Sequence, residues 1–350
     1  MIDILGMTKT ELREFAVSIG ESAFRGEQLY GWMMKGAGIA DMRNLSAAFK
    51  EKLAKHAEYR LPVIAEKYVS KLDGTVKYLM ELIDGECVEC VLMKYDHGTT
   101  LCVSSQAGCR MGCAFCASTL RGRTRDLTAS DILGQVLIAA RDSGERVDGV
   151  VMMGIGEPFD NYDNTVKFLR LVSAEGGPNI GLRHISVSTC GLVPGIRRLA
   201  DEGLPVTLSI SLHAYDDDVR SKLMPVNRKW CIAELLDACR YFFDTTGRRI
   251  SFEYTLIAGE NDSEEGAQAL GRLLRREMGE RPCHVNLILL NPVKETGLSA
   301  PDRQNAERFC RILEKNRINA TIRRRLGSDI DASCGQLRLK KITDDNSDNM

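Results

Sequence analysis

At 350 residues, with 44% hydrophobic and 27% charged residues, the chain has the composition of a folded protein of one large or two modest domains, which excludes general disorder. A formal net charge of −1 gives no global attraction to nucleic acid, so any RNA contact must come from local basic patches. Twelve cysteines, behind a start without a basic-then-apolar leader, predict a reducing, cytoplasmic setting, and no apolar run approaches the roughly 20 residues of a membrane span.

Residues 1–58 read as a small helical unit. Thr8-Lys-Thr-Glu11 opens one helix, Glu27 to Met34 carries apolar residues at helical spacing, and Ser46 to His56 forms a third helix. From 59 to 94 the pattern changes to strands. Thr75–Ile83 and Cys87–Met93 flank Asp84-Gly85, which predicts a β-hairpin linker region carrying Glu89. From 95 to 340 short apolar strands alternate with helices, as in parallel βα units. The strands expected are 101–105, 149–153, 184–188, 207–212, 251–257 and 285–290, with a short one at 320–322. A closed eight-unit barrel takes about 250 residues and roughly 225 remain, so the expected fold class is α/β, a partial (β/α)6 barrel with a helical accessory domain. The polar tail 341–350 is expected to be disordered.

The run Gly108-Cys109-Arg-Met-Gly-Cys113-Ala-Phe-Cys116 presents three thiols at CxxxCxxC spacing. Three thiolates can hold three irons of a [4Fe-4S] cubane and leave the fourth iron open for a substrate, where a cluster used only for electron storage would take four cysteines. The amino and carboxylate groups of S-adenosylmethionine suit that iron, and the spacing resembles the radical SAM superfamily signature. A zinc knuckle is the alternative, and its fourth ligand could only be Cys102, since residues 101–127 contain no histidine.

Ligands of βα folds gather at the carboxyl ends of the parallel strands. Gly154-Ile-Gly156-Glu157-Pro158 follows the second strand, Ser188 ends the third, Ser211-Leu212-His213 ends the fourth, and Asn291 follows the sixth. Three arginine groups are candidate RNA contacts: Arg121, Arg123 and Arg125; Arg197 and Arg198; and Arg323, Arg324 and Arg325.

Thr100-Leu-Cys-Val-Ser-Ser-Gln-Ala-Gly-Cys109 through Cys116, Gly154–Pro158, Ser209–His213, Lys222–Asn227 and Asp329-Ile-Asp-Ala-Ser-Cys334-Gly-Gln336 together resemble the RlmN-type RNA methyltransferases, and Ala23–Leu29 resembles their N-terminal domain. That resemblance implies methylation of adenine C2 in 23S ribosomal RNA and in transfer RNA. It assigns Cys109, Cys113 and Cys116 to the [4Fe-4S] cluster. Gly156, Glu157, Ser188, Ser211, Leu212, His213 and Asn291 go to S-adenosylmethionine, of which two are used per turnover. The first methylates the Cys334 thiolate, and the second is cleaved to a 5′-deoxyadenosyl radical that activates the new methyl group. Glu89 then accepts the C2 proton, and Cys102 frees the product through a transient disulfide with Cys334. An external electron donor such as a flavodoxin is implied. The sequence departs from common family spellings at Cys190 and at Leu290, before Asn291. Competing readings are a Cfr-type enzyme acting on C8, whose usual motif has Gly-Glu-Ala where this chain has Gly-Glu-Pro158, and a non-catalytic, metal-stabilised RNA-binding module.

Overall fold

A computed structural model describes residues 1–330 and 335–338; Cys334 and the tail 341–350 lie outside the described residues. Three helices, α1 (Lys9–Ser18), α2 (Ala23–Met33) and α3 (Ala47–His56), form the N-terminal unit. A capping box fixes the start of α1, with Thr8 accepting from the Glu11 N–H and Glu11 reaching back to the Thr8 N–H. Gly26 lets α2 cross α1 closely, because a Cβ there would lie 2.3 Å from the Leu12 carbonyl oxygen. The unit is tied to the rest of the chain by Arg141, which donates to the Gly36 carbonyl at 2.7 Å.

One ten-stranded sheet follows, its strands lying in chain order from edge to edge. Strands β1 (Val63–Val69), β2 (Val76–Glu81), β3 (Cys87–Tyr95) and β4 (Gly98–Cys102) are antiparallel neighbours. From β4 onward every pair is parallel: β5 (Gly149–Met152), β6 (Ile185–Thr189), β7 (Thr207–Ser211), β8 (Ile250–Leu256), β9 (Cys283–Leu289) and β10 (Asn319–Ile322). Helices make the crossovers, beginning with α4 (Ala129–Ser143), which is capped by Thr128 and stopped by Gly144 at φ 69°. The predicted hairpin is therefore continuous with the barrel sheet through β4, with β1 as an additional strand on its outer edge.

The parallel part is curled into an open barrel. Five strand spacings separate β5 from β10, about 24 Å in a flat sheet. Yet Arg323, just past β10, donates to the Met153 sulfur at 3.7 Å, just past β5. The sheet ends do not hydrogen-bond to each other, which leaves the barrel partial as the length of the chain predicts.

Alternation along β2 and β3 sorts the two sheet faces. Tyr78, Met80, Val88, Cys90 and Leu92 enter the main core, whereas Lys77, Glu89, Val91 and, on β4, Cys102 share the opposite face.

At the carboxyl end of β7 a polar knot joins three segments. His213, at φ 53°, accepts the Thr255 N–H on Nδ1 at 2.9 Å, and Asn261 donates to the His213 and Thr255 carbonyls while accepting the Ile257 N–H. Burial, with a smaller push from the Arg220 charge, lowers the His213 pKa to about 3 from an ordinary 6.5. The unfolded chain therefore takes up this proton first. The contribution of His213 is complete above pH 6.5 and is lost progressively as pH falls towards 3, to an extent on the order of a few kcal/mol. Unfolding free energies measured between pH 6.5 and 5, above the main carboxylate range, should fall with acidification in the native protein, and His213→Gln should flatten that dependence.

Candidate active site

The ends of the consecutive parallel strands β5 to β10 line one cleft of about 860 Å³, open solvent included. Its walls carry Cys109, Cys113 and Cys116 together with Gly156, Glu157, Ser188, Ser211, His213, Thr255 and Arg323. All of these except Thr255 and Arg323 are expected cluster or S-adenosylmethionine residues, and Arg323 belongs to one of the expected basic groups. Leu212 is different: its side chain is fully buried in the core, and only its backbone takes part in the site.

The cysteine loop stands on a two-stranded ribbon of Gln106–Gly108 and Arg123–Asp126. Gly108 is obligatory there, since at φ 79° a Cβ would lie 1.9 Å from the Gly122 carbonyl oxygen. The loop is held by the Cys116 N–H to the Cys113 carbonyl at 3.1 Å and the Ala114 N–H to the Leu223 carbonyl at 2.9 Å. Burial first, then the neighbouring charges of Cys116, Glu157 and Asp160, push the Cys109 thiol up to about 12. Cys113 is also raised, chiefly by desolvation, while the Arg220 charge acts in the opposite direction. Such thiols ligate iron only by giving up protons to it.

The donor set fits a cubane better than zinc. Cys102 opens onto a different cavity from the three loop cysteines, so it does not supply the fourth zinc ligand. Among the described residues no three His, Cys, Asp or Glu side chains converge as a single ion requires, whereas a cubane meets its three thiolates at separate corners.

The glycines of the Gly154–Pro158 turn allow it to lie directly on the strand exit that leads to the cysteine loop. A Cβ on Gly154 would lie 2.6 Å from the Val103 carbonyl oxygen, and one on Gly156, at φ 109°, 2.7 Å from the Gln106 nitrogen. Glu157 braces this turn against β6, its carboxylate accepting the N–H groups of Phe159 at 3.0 Å and Cys190 at 2.7 Å. Burial raises its pKa and those two bonds oppose the rise.

Arg220 was not singled out in the sequence. It lies in the helix Asp217–Leu223, is fully buried, and donates to the carbonyls of Cys190 at 2.7 Å, Ser211 at 3.1 Å and Leu212 at 3.1 Å and to the Asn227 side chain at 3.0 Å. One guanidinium thus pins the ends of β6 and β7 and keeps positive charge beneath the thiols. Its only signal in the sequence is its closeness to the Lys222–Asn227 motif.

A second cavity adjoins the first across Met153, Ile288 and Arg323, which line both. It is lined by Val91, Met93, Cys102, Asn291 and Arg323 to Arg325. Asn291 faces this cavity rather than the cysteine cleft, and its buried Oδ1 has no hydrogen-bond partner among the described residues. Arg324 and Arg325 are exposed and make no ion pair among the described residues, whereas Arg123, Arg125, Arg197 and Arg198 are all paired with aspartates.

The segment on either side of Cys334 is fastened across this region. Gly327 donates to Asp73 at 2.8 Å, and Asp329 accepts from Ser70 at 2.7 Å and from the Lys71 N–H at 2.9 Å. On the far side, the Gly335 N–H donates to Glu89 at 2.9 Å and the Arg338 N–H to the other Glu89 oxygen at 2.8 Å. Gly335, at φ 87°, also lies against the turn after Cys116, where a Cβ would be 2.9 Å from the Ser118 nitrogen. The residue after Cys334 thus touches both the Glu89 carboxylate and the end of the cysteine loop.

The profile of the Radical SAM superfamily matches residues 103–269, and that of the ribosomal RNA large subunit methyltransferase N-terminal domain matches residues 2–59. The chain is 52% identical to a probable dual-specificity RNA methyltransferase RlmN of Lachnoclostridium phytofermentans, over 98% of this chain and 96% of that protein. It is 47% identical to a protein of the same description from Clostridium acetobutylicum, over 98% of each. The crystal structure of a radical SAM methyltransferase from Sphaerobacter thermophilus superposes with a TM-score of 0.91 at 42% identity, covering 96% of this chain and 99% of that one. With the glycine turn, the cysteine loop and the helical unit all inside these matches, the chain belongs to the RlmN-type methyltransferases of the radical SAM superfamily.

Proposed function

We propose that this protein methylates carbon 2 of an adenosine in 23S ribosomal RNA and in transfer RNA, in the cytoplasm, with electrons from an external donor such as a flavodoxin. Membership of the superfamily brings a [4Fe-4S] cluster and S-adenosylmethionine. No described helix is long and apolar enough to cross a membrane. The observation that carries the reading is the position of Gly335, the residue after Cys334, between the Glu89 carboxylate and Ser118 at the end of the cysteine loop.

Cys109, Cys113 and Cys116 hold the cluster, while Gly156, Glu157, Ser188, Ser211, His213 and the Leu212 backbone form the S-adenosylmethionine side of the cleft. Asn291, the remaining residue of that set, lines the second cavity. Carbon 2 lies between two ring nitrogens and is electron-poor, so polar methyl transfer to it is disfavoured. Cys334 as thiolate takes a methyl group readily, because sulfur is the stronger nucleophile. When bound, the cluster and S-adenosylmethionine supply the radical chemistry that activates this methyl carbon for addition to the base. Glu89 then receives the C2 proton as the adduct radical gives up one electron to the iron–sulfur system that supplied it. The Cys102 thiolate attacks the Cys334 sulfur, so that the S–S bond forms as the S–C bond breaks, and the released methylene carbon takes up a proton to become the methyl group of the product. Arg324 and Arg325, exposed at the rim of the second cavity, are suited to RNA phosphates.

Mass spectrometry of nucleosides from treated RNA tests the assignment: 2-methyladenosine supports it, and 8-methyladenosine would support the Cfr-type reading. Cys102→Ala should lower free product at least about tenfold and accumulate a covalent protein–RNA adduct, whereas Cys334→Ala should give neither product nor adduct. Gly335→Ala, strained by its positive φ and its contact with Ser118, should slow methylation while leaving iron content unchanged. Because the Cys109 thiol sits near 12, iron must displace its proton, so anaerobic reconstitution followed by thiolate-to-iron absorbance should improve with pH, by up to about tenfold per unit for each proton displaced.

A further inference from the structure

Lys77 and Glu89 form an ion pair at 3.0 Å with both side chains fully excluded from solvent. They lie diagonally across β2 and β3, since Lys77 pairs with Val91 and Glu89 with Leu79, and they share the sheet face that carries Cys102. Burying two charges costs several kcal/mol per ion before their attraction is counted, so such a pair is weak evidence for stability and asks for another reason.

The Glu89 carboxylate has no idle oxygen. Oε2 receives both the Lys77 ammonium and the Gly335 N–H, and Oε1 receives the Arg338 N–H. The Arg338 side chain extends the clasp to the Cys87 carbonyl at 3.0 Å, Glu86 at 2.9 Å and Thr124 at 3.1 Å. The Glu89 backbone carbonyl is also held, by the Ser104 hydroxyl at 2.6 Å. The Glu89 carboxylate thus binds the residue that follows Cys334, and Lys77 supplies the countercharge that a carboxylate needs in a dry site.

We propose that Lys77 is a positioning residue for proton removal: it holds the Glu89 carboxylate, and through it the segment after Cys334, in the arrangement from which the base is deprotonated. This rests on the reading of Glu89 as proton acceptor. To receive a proton, Glu89 can use the second lone pair of Oε1, which accepts only the Arg338 N–H, or exchange a backbone donor for the base. Lys77 is the partner that stays, since it comes from the sheet while Gly335 and Arg338 come from the segment that carries the methyl group.

The test uses full-length, cluster-loaded protein and two RNA substrates that differ only in protium or deuterium at C2 of the target adenosine. Lys77→Met and Glu89→Gln should each slow methylation at least about tenfold and raise the protium-to-deuterium rate ratio above that of the native enzyme, with Cys334 acquiring its methyl group as before by intact mass. Hydrogen exchange at the Gly335 and Arg338 amides should be faster in Lys77→Met. Lys77→Gln, which keeps a donor, should lie between Lys77→Met and the native enzyme, and it is judged by the same ratio if Lys77→Met does not fold. A slower Lys77 variant with an unchanged ratio would mean a packing role only and overturns the proposal. An unchanged ratio in Glu89→Gln would instead sink the reading of Glu89 as proton acceptor.

Discussion

The contact between Met153 and Arg323 summarises the constraint on which the site depends, because it can exist only if strands five places apart in the sheet are brought round to face one another. Curling is what turns a row of strand ends into a cleft. Without it, the serines of β6 and β7, the acidic and hydroxyl groups of β8 and the arginine after β10 would lie along a line, each facing solvent. The barrel stays open because its two parallel edges never pair, and the antiparallel strands β1 to β4 extend the sheet beyond the arc. That extension places Cys102 in a second cavity adjoining the first, with Glu89 on the same sheet face.

Three sites of buried charge lie at junctions. Arg220 joins the ends of β6 and β7, Glu157 joins the glycine turn to β6, and the Lys77–Glu89 pair joins the antiparallel strands to the segment after Cys334. In each case most partners are backbone groups, so the side chain fixes the path of the main chain rather than one neighbour's conformation. A hydrogen bond from a charged group is stronger than a neutral one, and in a low-dielectric setting leaving it unmade is costly. These residues therefore convert ionic energy into the rigidity that radical chemistry at a defined atom requires.

The arginines divide by the same logic. Arg123 and Arg125 near the cysteine loop, and Arg197 and Arg198 on the helix Val193–Asp201, are neutralised by aspartates and hold surface segments together. Arg324 and Arg325 keep their charge available at the mouth of the second cavity. A chain of net charge −1 can thus face RNA with a local basic patch.

Local rules were enough for much of this protein. The CxxxCxxC spacing, the Thr8 capping box, the hairpin around Asp84-Gly85 and the alternation of strand and helix are all short-range patterns, and each reads off neighbouring residues because its physics acts within a few positions of the chain. The glycines at 154 and 156 were visible as a turn, though the surface they press against, Val103 to Gln106, was not. What tertiary structure alone decided is which distant side chains meet. Nothing in the sequence near Lys77 separates it from an ordinary surface cation, Arg220 is marked only by its closeness to the Lys222–Asn227 motif, and Leu212 reads as no less able to reach a ligand than its neighbours although its side chain lies in the core. Asn291 likewise fell to the neighbouring cavity. Partner choice across such separations depends on sheet register and curl, which are set by the summed packing of the whole barrel and leave no mark at any single position.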